Sequence, residues 1–423
     1  MPTYNTPDGS RSLFDLYDDA NRGSDVPAAF NQWCLASVIG AVVSPFICAY
    51  TTPDQPIYTD MRVFLIGKSG SGKGKAMGRA HSLLDAAVWP KGRMLLIDGS
   101  VTAALLVKEV SEWQQRKREE GIVDWMYAPL YLMHQELFDD LGTPESARSF
   151  ISFMTNLGSR HTQNYSKGSI YSGGTRIIRS LSPNWIAGTT IDWLKKVYDP
   201  DAVRSGAFAR IVPVYVADQE VPAQRAFESH PRHFTELIWS IQQRLADLTA
   251  IKGTFAWTGS AREVYTAGVE QDGNGEERDP AMESVYARVR ELVVKYAMVH
   301  ALAQPDAAKL ELTEQSIAVA QREVRQTIAR AKPLYHVASE TKETSGLHQV
   351  EAYIKRKGQI RERALLQWAK AVGMDMDKVK RHLAFLAGVG NVVRETAPQP
   401  IGTRLVWAGK GKGKKAQDEQ EEG

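Results

Sequence analysis

The chain has 423 residues, of which 43% are apolar and 24% are charged, and its net charge is +3. At about 100–200 residues per domain, this length predicts two or three domains of ordinary globular composition. The composition excludes a mostly disordered protein, a collagen-like protein and a disulfide scaffold.

Residues 26–53 form an uncharged, mostly apolar stretch that contains both cysteines, Cys34 and Cys48. The stretch is long enough to span a membrane. Its Asn, Gln, Ser, Pro and Thr residues, and its position ahead of a P-loop strand, favour a buried helix instead. The first residues lack the basic-then-apolar order of a signal peptide, and no CxxC or Cys/His cluster indicates a metal site. We expect a reduced, intracellular protein without a membrane partner.

The strongest local motif is Gly67-Lys-Ser-Gly-Ser-Gly-Lys73, between an apolar run at 63–66 and a helical pattern at 76–87. Strand, loop and helix in this order are the context of a Walker A phosphate-binding loop. Its glycines let backbone N–H groups face phosphate oxygens, and the helix N-terminus adds positive potential. We expect Lys73 to bind the β- and γ-phosphates of ATP. The other nucleotide contacts predicted in the loop are Gly67, Ser69, Gly70, Ser71, Gly72, Gly74 and Lys75.

One position of the motif departs from the usual pattern. Gly74 stands where a Ser or Thr hydroxyl usually binds Mg²⁺. A water molecule or another side chain must therefore hold the Mg²⁺ that ATP hydrolysis requires.

Two apolar runs downstream end in an acid. The run at 94–98 ends in Asp98 only about 25 residues after Lys73, so we interpret it as the next strand followed by a turn. The run at 129–136 ends in Glu136 and has the separation typical of an additional-strand ATPase. We predict that Glu136 activates the attacking water, with Gln135 where an Asp is usual. The alternative for Glu136 is a capping or surface acid.

Two later strands carry further candidates. Residues 183–190 predict a strand that ends in Thr190, whose hydroxyl would reach the γ-phosphate or the attacking water. Arg210 precedes an apolar strand at 211–216, which is the position of an arginine finger in ring ATPases. There its planar charge stabilises the phosphoryl group transferred in a neighbouring subunit. The alternative for Arg210 is a structural salt bridge.

Helical patterns follow at 234–248, 260–269, 280–302 and 313–331, as in the helical lid of an AAA+ ATPase. Within the third pattern, Arg288 has the position of a second sensor arginine that contacts nucleotide. Lys295 lies two turns later on the same predicted face. The alternative for Arg288 is a solvated helix charge.

Together these stretches resemble the helicase-like AAA+ ATPases of phages and mobile elements, relatives of the MCM and superfamily 3 helicases. The matching pieces are the segment 27–33, the P-loop, Glu136-Leu137, the strand 185–190, the segment 205–210 and the helix from Arg288. The resemblance implies an α/β core with an additional strand and a hexameric ring, with ATP and Mg²⁺ between subunits and DNA in the pore. By analogy with ring helicases, Lys167 in the Gly- and Ser-rich hairpin at 164–173 is a pore-loop candidate at the hairpin tip. The alternative for it is an exposed turn lysine.

The C-terminal segment is strongly basic. Residues 346–416 carry 15 Lys and Arg against 5 Asp and Glu, whereas the 345 residues before them have a net charge of −3 and the tail 417–423 carries 4 acids. Three helical patterns and a hairpin predict a winged helix, and such basic modules favour DNA. The third helix would present Lys378, Lys380 and Arg381, with Arg394 and Arg404 on the wing. A basic arm at 410–415 would bind phosphate.

These patterns divide the chain into an N-terminal helical segment (1–57), a P-loop AAA+ core (58–220), a helical lid (221–337), a linker (338–346), a winged-helix DNA-binding domain (347–409) and a disordered tail (410–423). The predicted function is an ATP-dependent, ring-forming DNA motor, a replicative helicase of a phage or mobile element in the host cytoplasm. The alternative is an initiator or helicase-loader switch that binds DNA without processive unwinding. A third interpretation is a small-molecule or nucleotide kinase with Asp98 as its acidic partner.

Overall fold

The computed structural model describes residues 10–86, 94–122, 127–157, 165–169, 174–178, 180–197, 208–223, 233–274, 282–339, 350–351, 353–372, 374–388, 392–397 and 402–407. The chain forms two compact units, Met1–Ser339 and Glu340–Gly423. Each unit has its own hydrophobic core.

The first unit begins with two helices and two antiparallel strands: α1 (Leu13–Ala20), α2 (Ala28–Val43), β1 (Ile47–Thr52) and β2 (Gln55–Tyr58). Alternating strands and helices follow: β3 (Arg62–Ile66), α3 (Lys73–Ala86), β4 (Leu95–Asp98), α4 (Ala103–Glu119), β5 (Ala128–His134), α5 (Leu137–Leu141), α6 (Pro144–Leu157), β6 (Tyr165–Ser169), β7 (Gly174–Ile178), β8 (Leu181–Thr189), α7 (Ile191–Val197) and β9 (Val212–Tyr215). The unit ends with α8 (Phe234–Leu248), β10 (Gly253–Thr254), β11 (Ala256–Trp257), α9 (Gly259–Asn274), α10 (Glu283–Leu302), β12 (Glu311–Leu312) and α11 (Glu314–Ser339).

A parallel five-stranded sheet organises this unit, in the order β4-β5-β8-β3-β9. Strand β8 lies between β3, which leads into the P-loop, and β5, which leads to Glu136. That inserted strand is the additional strand that the sequence predicts. Every residue of β5 and of β8 is buried, as expected for parallel strands whose two faces are both covered. The fold is therefore α/β with the strand order of an additional-strand P-loop core.

The uncharged N-terminal stretch contains the buried helix that the sequence predicts, α2. The segment 1–57 is not helical throughout, because β1 and most of β2 also lie in it. Within α2, the Trp33 indole N–H donates to the Thr327 hydroxyl of α11 at 3.0 Å. The Gln32 amide donates to the Tyr296 hydroxyl of α10 at 2.7 Å. Among the described residues, no helix is both long and apolar enough to cross a membrane.

The segment expected to form a purely helical lid also contains short strands. Strand β10 pairs in parallel with β1, and β11 pairs in parallel with β12. Each of these three lid strands has two residues, which is too short for the alternating pattern that indicates a strand in a sequence. Helix α8 has the predicted bounds, whereas α11 continues through Pro333 to Ser339.

The second unit is a small α/β module. Residues 350–351 and 353–357 are helical. They are followed by β13 (Gln359–Arg361), α12 (Glu362–Ala371), α13 (Met376–Gly388), β14 (Val392–Ala397) and β15 (Gly402–Trp407). The three strands form an antiparallel sheet in the order β13-β15-β14. The helices and the hairpin occupy the predicted places, and the three-residue strand β13 is an addition that the sequence pattern missed. The predicted linker at 338–346 starts too early, because α11 continues through residues 338 and 339. The rest of that linker and the basic arm at 410–415 lie outside the described residues.

Candidate nucleotide and nucleic-acid sites

The P-loop connects the end of β3 to the start of α3. Gly70 and Gly72 have φ angles of +77° and +87°, a backbone region that glycine adopts readily and other residues avoid. A Cβ added at Gly67 would lie 2.9 Å from the Ser71 hydroxyl oxygen, so the loop also closes tightly on itself. This backbone geometry is the one that turns amide N–H groups toward phosphate oxygens.

Lys73 lies at the start of α3 and is 3% exposed. Its ammonium donates to the carbonyl oxygens of Gly67 at 3.0 Å and Lys68 at 2.7 Å. Burial lowers the pKa of Lys73, while the negative charge of Glu136 acts in the opposite direction. Lys73 and Glu136 both follow the carboxyl-terminal end of a strand and are therefore close enough to interact electrostatically.

Glu136 follows β5, and its side chain and that of Gln135 are exposed. Asp98 ends β4, the edge strand, so β5 and β8 both separate it from the P-loop strand. The Gly99 N–H donates to the Met133 carbonyl oxygen at 3.0 Å and joins the end of β4 to β5. Of the two acidic candidates, Glu136 is the one whose charge acts on Lys73.

Thr190 lies beside the P-loop, because Ile66 pairs with Thr189 and the Gly67 N–H donates to the Thr189 carbonyl oxygen at 3.3 Å. The Thr190 hydroxyl, however, accepts the Trp193 N–H at 3.3 Å. It therefore caps the start of α7. The position of Thr190 agrees with a role near the phosphates, but its hydroxyl is engaged in this cap.

The structure gives the surroundings of two further loop positions, Lys75 and Gly74. The Lys75 ammonium, expected at the nucleotide, forms an ion pair with Asp25 at 2.8 Å. The Asp25 side chain is 5% exposed, and the neighbouring Val26 Cα would lie 3.4 Å from a Cβ at Gly72. The N-terminal segment thus packs on the P-loop, a contact that no local sequence pattern reveals. No atom lies within 4 Å of a Cβ added at Gly74, so this position opens into free space.

Arg210 lies at the other end of the strands from Lys73, near the amino-terminal ends of β3 and β9. It precedes β9, which pairs in parallel with β3, and Arg62 is the first residue of β3. Burial lowers the pKa of Arg210, and the nearby positive charges of Arg288 and Arg62 lower it further. Four residues of strand rise, about 13 Å, separate Arg62 from the P-loop end of β3. Arg288 is thus close to Arg210 and not at the P-loop of the same chain.

These arginines line a cleft of about 910 Å³ together with Asp60, Glu291 and Lys295. The Lys295 ammonium donates to the Asp60 carbonyl oxygen at 3.0 Å and lies 3.3 Å from carboxylate oxygens of Asp60 and Glu291. Glu291 also pairs with Arg288 at 3.3 Å, and the Lys295 charge is the main cause of its lowered pKa. Lys295 is therefore buried in an ion-pair network. Sequence reasoning missed Asp60 and Arg62, although two charges just before an apolar strand were a visible signal.

Lys167, the predicted pore-loop residue, does not lie at the tip of its hairpin. Lys167 pairs with Arg176 in the middle of the antiparallel pair β6–β7. The connecting residues 170–173 fall outside the described part of the chain. Lys167 is thus not a tip residue, because the strands extend further than the glycine-rich composition indicates.

The candidates of the second unit lie on α13 and on the β14–β15 hairpin. Lys380 and Arg381 are exposed on α13, which also carries Lys378. The Arg394 guanidinium pairs with Glu362 of α12 at 3.4 Å. Arg404 lies opposite Glu395 on one side and Arg361 on the other. Among the described side chains, α13 therefore carries two exposed cations, Lys380 and Arg381.

No protein-family model matches this chain, and no curated protein matches it either. The solved structures that are similar to it include the following three. The full-length MCM homolog from Methanopyrus kandleri is 14% identical over 75% of this chain and 60% of that chain, with a TM-score of 0.39. Drosophila ORC bound to DNA is 11% identical over 96% and 92%, with a TM-score of 0.22. The Aeropyrum pernix ORC2 protein, in ADPNP-ADP complexes, is 12% identical over 93% and 94%, with a TM-score of 0.25.

The chain spans about 60% of the length of the MCM homolog. All three TM-scores are below one half, so they add nothing to what the strand order of this chain establishes by itself.

Proposed function

We propose that this chain is an ATP-driven DNA motor whose ATP sites form between identical subunits of a hexameric ring. The observation that supports this most is the location of charged side chains at the two opposite ends of the parallel strands of one sheet. Lys73 and Glu136 lie at the carboxyl ends of the strands, and Arg210 and Arg288 lie near the amino ends. In a ring with head-to-tail contacts, one edge of each subunit faces the other edge of its neighbour. The arginines of one subunit would then reach ATP held by the next.

Each residue has a definite role in this proposal. Lys73 binds the β- and γ-phosphates, while the turn at Gly70 and Gly72 lets backbone N–H groups donate to them. Glu136 orients the attacking water and takes its proton, and Arg210 of the neighbouring subunit stabilises the charge that develops on the transferred phosphoryl group. Bound Mg²⁺ would neutralise phosphate charge at this edge. Gly74 and Gln135 provide no hydroxyl or carboxylate for it, so water would complete its coordination.

The second unit provides the DNA contacts in this proposal. Its helices and three-stranded antiparallel sheet would act as a winged helix, with α13 presenting Lys378, Lys380 and Arg381 to DNA. Lys167 would contact DNA in the ring pore. We further propose that the chain is a replicative helicase of a phage or mobile element and acts in the host cytoplasm.

The test combines ATP hydrolysis with strand separation by the full-length chain. We expect DNA-stimulated ATP hydrolysis and unwinding in the wild type and neither in Lys73→Ala. Mixing Arg210→Ala subunits with Lys73→Ala subunits should restore part of the hydrolysis, because the mixture contains interfaces with both residues intact. The proposal would be refuted if Lys73→Ala had full activity, or if DNA did not stimulate ATP hydrolysis by the wild type. If the mixture shows no recovery, Arg210 is a structural residue.

A second candidate function is an initiator or helicase-loader switch. Gly74 and Gln135 favour it, because both usual Mg²⁺ contacts are missing at these positions. ATP-dependent assembly on DNA without strand separation would identify this function. The kinase interpretation is less favoured, because Asp98 lies on the edge strand with two strands between it and β3.

A further inference from the structure

The second unit contains a pair of stacked aromatic rings that the proposed DNA contacts on α13 do not use. Tyr353, in the helical residues 353–357, stacks on Trp368 of α12 with ring centroids 4.1 Å apart and an interplanar angle of 8°. Both residues are partly exposed, whereas Ile354 and Leu365 beside them are fully buried. The ring pair therefore lies at the margin of the small core and not at its centre.

Positive charges surround this pair. The Arg356 guanidinium carbon lies 5.3 Å from the centroid of the Tyr353 ring, and the Lys357 ammonium lies 6.0 Å from it. Arg356 and Lys357 are both exposed. Such positions over an aromatic face are electrostatically favourable. They place two cations directly beside an aromatic surface that solvent can reach.

The segment that contains the ring pair, residues 353–370, carries far more positive than negative charge. Residues 353–370 contain a single acid, Glu362, which is paired with Arg394 at 3.4 Å. The six basic residues of the same segment are Lys355, Arg356, Lys357, Arg361, Arg363 and Lys370. Like charges at this density repel one another in the folded unit. A bound polyanion would remove that repulsion, whereas ring packing against the core requires none of these cations.

We propose that the stacked-ring surface, formed by Tyr353, Arg356, Lys357 and Trp368, binds single-stranded nucleic acid. Exposed aromatic rings offer a stacking platform to bases, and neighbouring Lys and Arg side chains bind the phosphates. A single strand is the fitting ligand because its base faces are accessible, whereas a duplex buries them between neighbouring base pairs. This site is distinct from Lys380 and Arg381 of α13, which a winged helix would present to duplex DNA. The proposal rests on the proposed function only in that the second unit contacts nucleic acid.

The test measures binding of a labelled oligothymidylate and of a labelled duplex to the full-length chain, without ATP. The variants are Trp368→Leu, which keeps an apolar side chain at the core margin, and the exposed pair Arg356→Gln with Lys357→Gln. We expect Trp368→Leu to weaken single-strand binding by about fivefold to 150-fold, the range that loss of one stacked base covers. We expect the Arg356 and Lys357 variant to weaken single-strand binding and to make it less dependent on salt, because phosphate contacts are lost. Both variants should change duplex binding less than about twofold. The matched control, Lys380→Gln with Arg381→Gln, should show the opposite selectivity. A second readout is quenching of tryptophan fluorescence by oligothymidylate, which should be reduced in Trp368→Phe and retained in Trp239→Phe.

Unchanged single-strand affinity in both variants would overturn the proposal and leave the rings with a structural or protein-docking role. Equal weakening of single-strand and duplex binding would also overturn it, because that result indicates phosphate contacts alone. If the wild type binds neither nucleic acid, the DNA-binding part of the proposed function fails together with this inference. If the wild type binds DNA normally but does not unwind it, only the motor proposal fails.

Discussion

A Cβ atom added at Gly188 would lie 2.4 Å from the carbonyl oxygen of Gln135. Gly188 is near the end of β8, and Gln135 directly precedes Glu136. The absence of a side chain at Gly188 thus lets the strand beside the P-loop pack against the turn that carries the proposed catalytic acid.

Gly188→Ala is expected to disturb both stability and activity. The overlap is with a backbone oxygen, so β8 or the turn at Gln135 must move, at about 1–3 kcal/mol. A displacement of Glu136 by about 1 Å would lower the ATPase rate about 100-fold. Thermal unfolding and steady-state ATP hydrolysis measure the two effects. Gly78→Ala is the matched control, since no atom lies within 4 Å of a Cβ at Gly78. Equal behaviour of the two variants would contradict the close approach.

Gly74→Thr is expected to strengthen Mg²⁺ binding. The space around a Cβ at Gly74 is open, and the new hydroxyl would occupy the position that binds Mg²⁺ in the usual motif. One added contact to a charged partner, about 1.5 kcal/mol, corresponds to about a tenfold lower Mg²⁺ concentration for half-maximal ATP hydrolysis. Titration of Mg²⁺ at saturating ATP measures the shift. Gly78→Thr, on the same helix, controls for the helix propensity of threonine. An unchanged requirement in Gly74→Thr would mean that another group already fills this role.

His134 is expected to make the first unit less stable in acid. Burial lowers its pKa to about 4, and its Nδ1 accepts the Trp185 indole N–H at 2.9 Å. The pKa in the unfolded chain is near 6.5, so the unfolded state binds the proton first, and stability falls as the pH decreases from about 6.5 to about 4. The full loss is about 3 kcal/mol, and about 2 kcal/mol of it should appear between pH 7 and pH 5.

Urea unfolding at these two pH values tests the effect of His134. The pH-dependent loss should be smaller by about 2 kcal/mol in His134→Asn than in the wild type. An identical pH dependence in wild type and His134→Asn would show that the proton is bound elsewhere.

Lys295→Met is expected to destabilise the first unit by about 1.5–3 kcal/mol, because it removes charge-assisted hydrogen bonds to Asp60. The buried Asp60 carboxylate then keeps only the longer contact with Arg62, at 3.4 Å, among the ion pairs described here. The Lys295 and Asp60 side chains are 11% and 0% exposed. The control is Lys309→Met, which removes an ion pair with Asp306 whose side chains are 65% and 57% exposed. It should cost at most about 1 kcal/mol. Chemical denaturation followed by tryptophan fluorescence compares them, and similar losses would refute a structural role for the buried pair.

Much of the core architecture is visible in local sequence patterns. The apolar run before Gly67, the glycines of the loop and the helical pattern after it predict a strand, a phosphate-binding loop and a helix. Each depends on residues only a few positions apart. The helix Phe234–Leu248 has its predicted bounds for the same reason. The two-residue strands of the lid segment escaped prediction because their pairing is with β1 and β12, and not within their own short segments.

The sequence by itself thus determined that this chain has a P-loop, an additional-strand core and a basic C-terminal module. Only the tertiary structure decided which distant side chains meet. It pairs Lys75 with Asp25, uses the Thr190 hydroxyl as a helix cap, and brings Arg288 to Arg210 at the edge away from Lys73. The physical reason is that propensity and periodicity act over one or two turns of chain. The neighbours of a side chain are set by strand order and helix packing, which join segments as much as 294 residues apart.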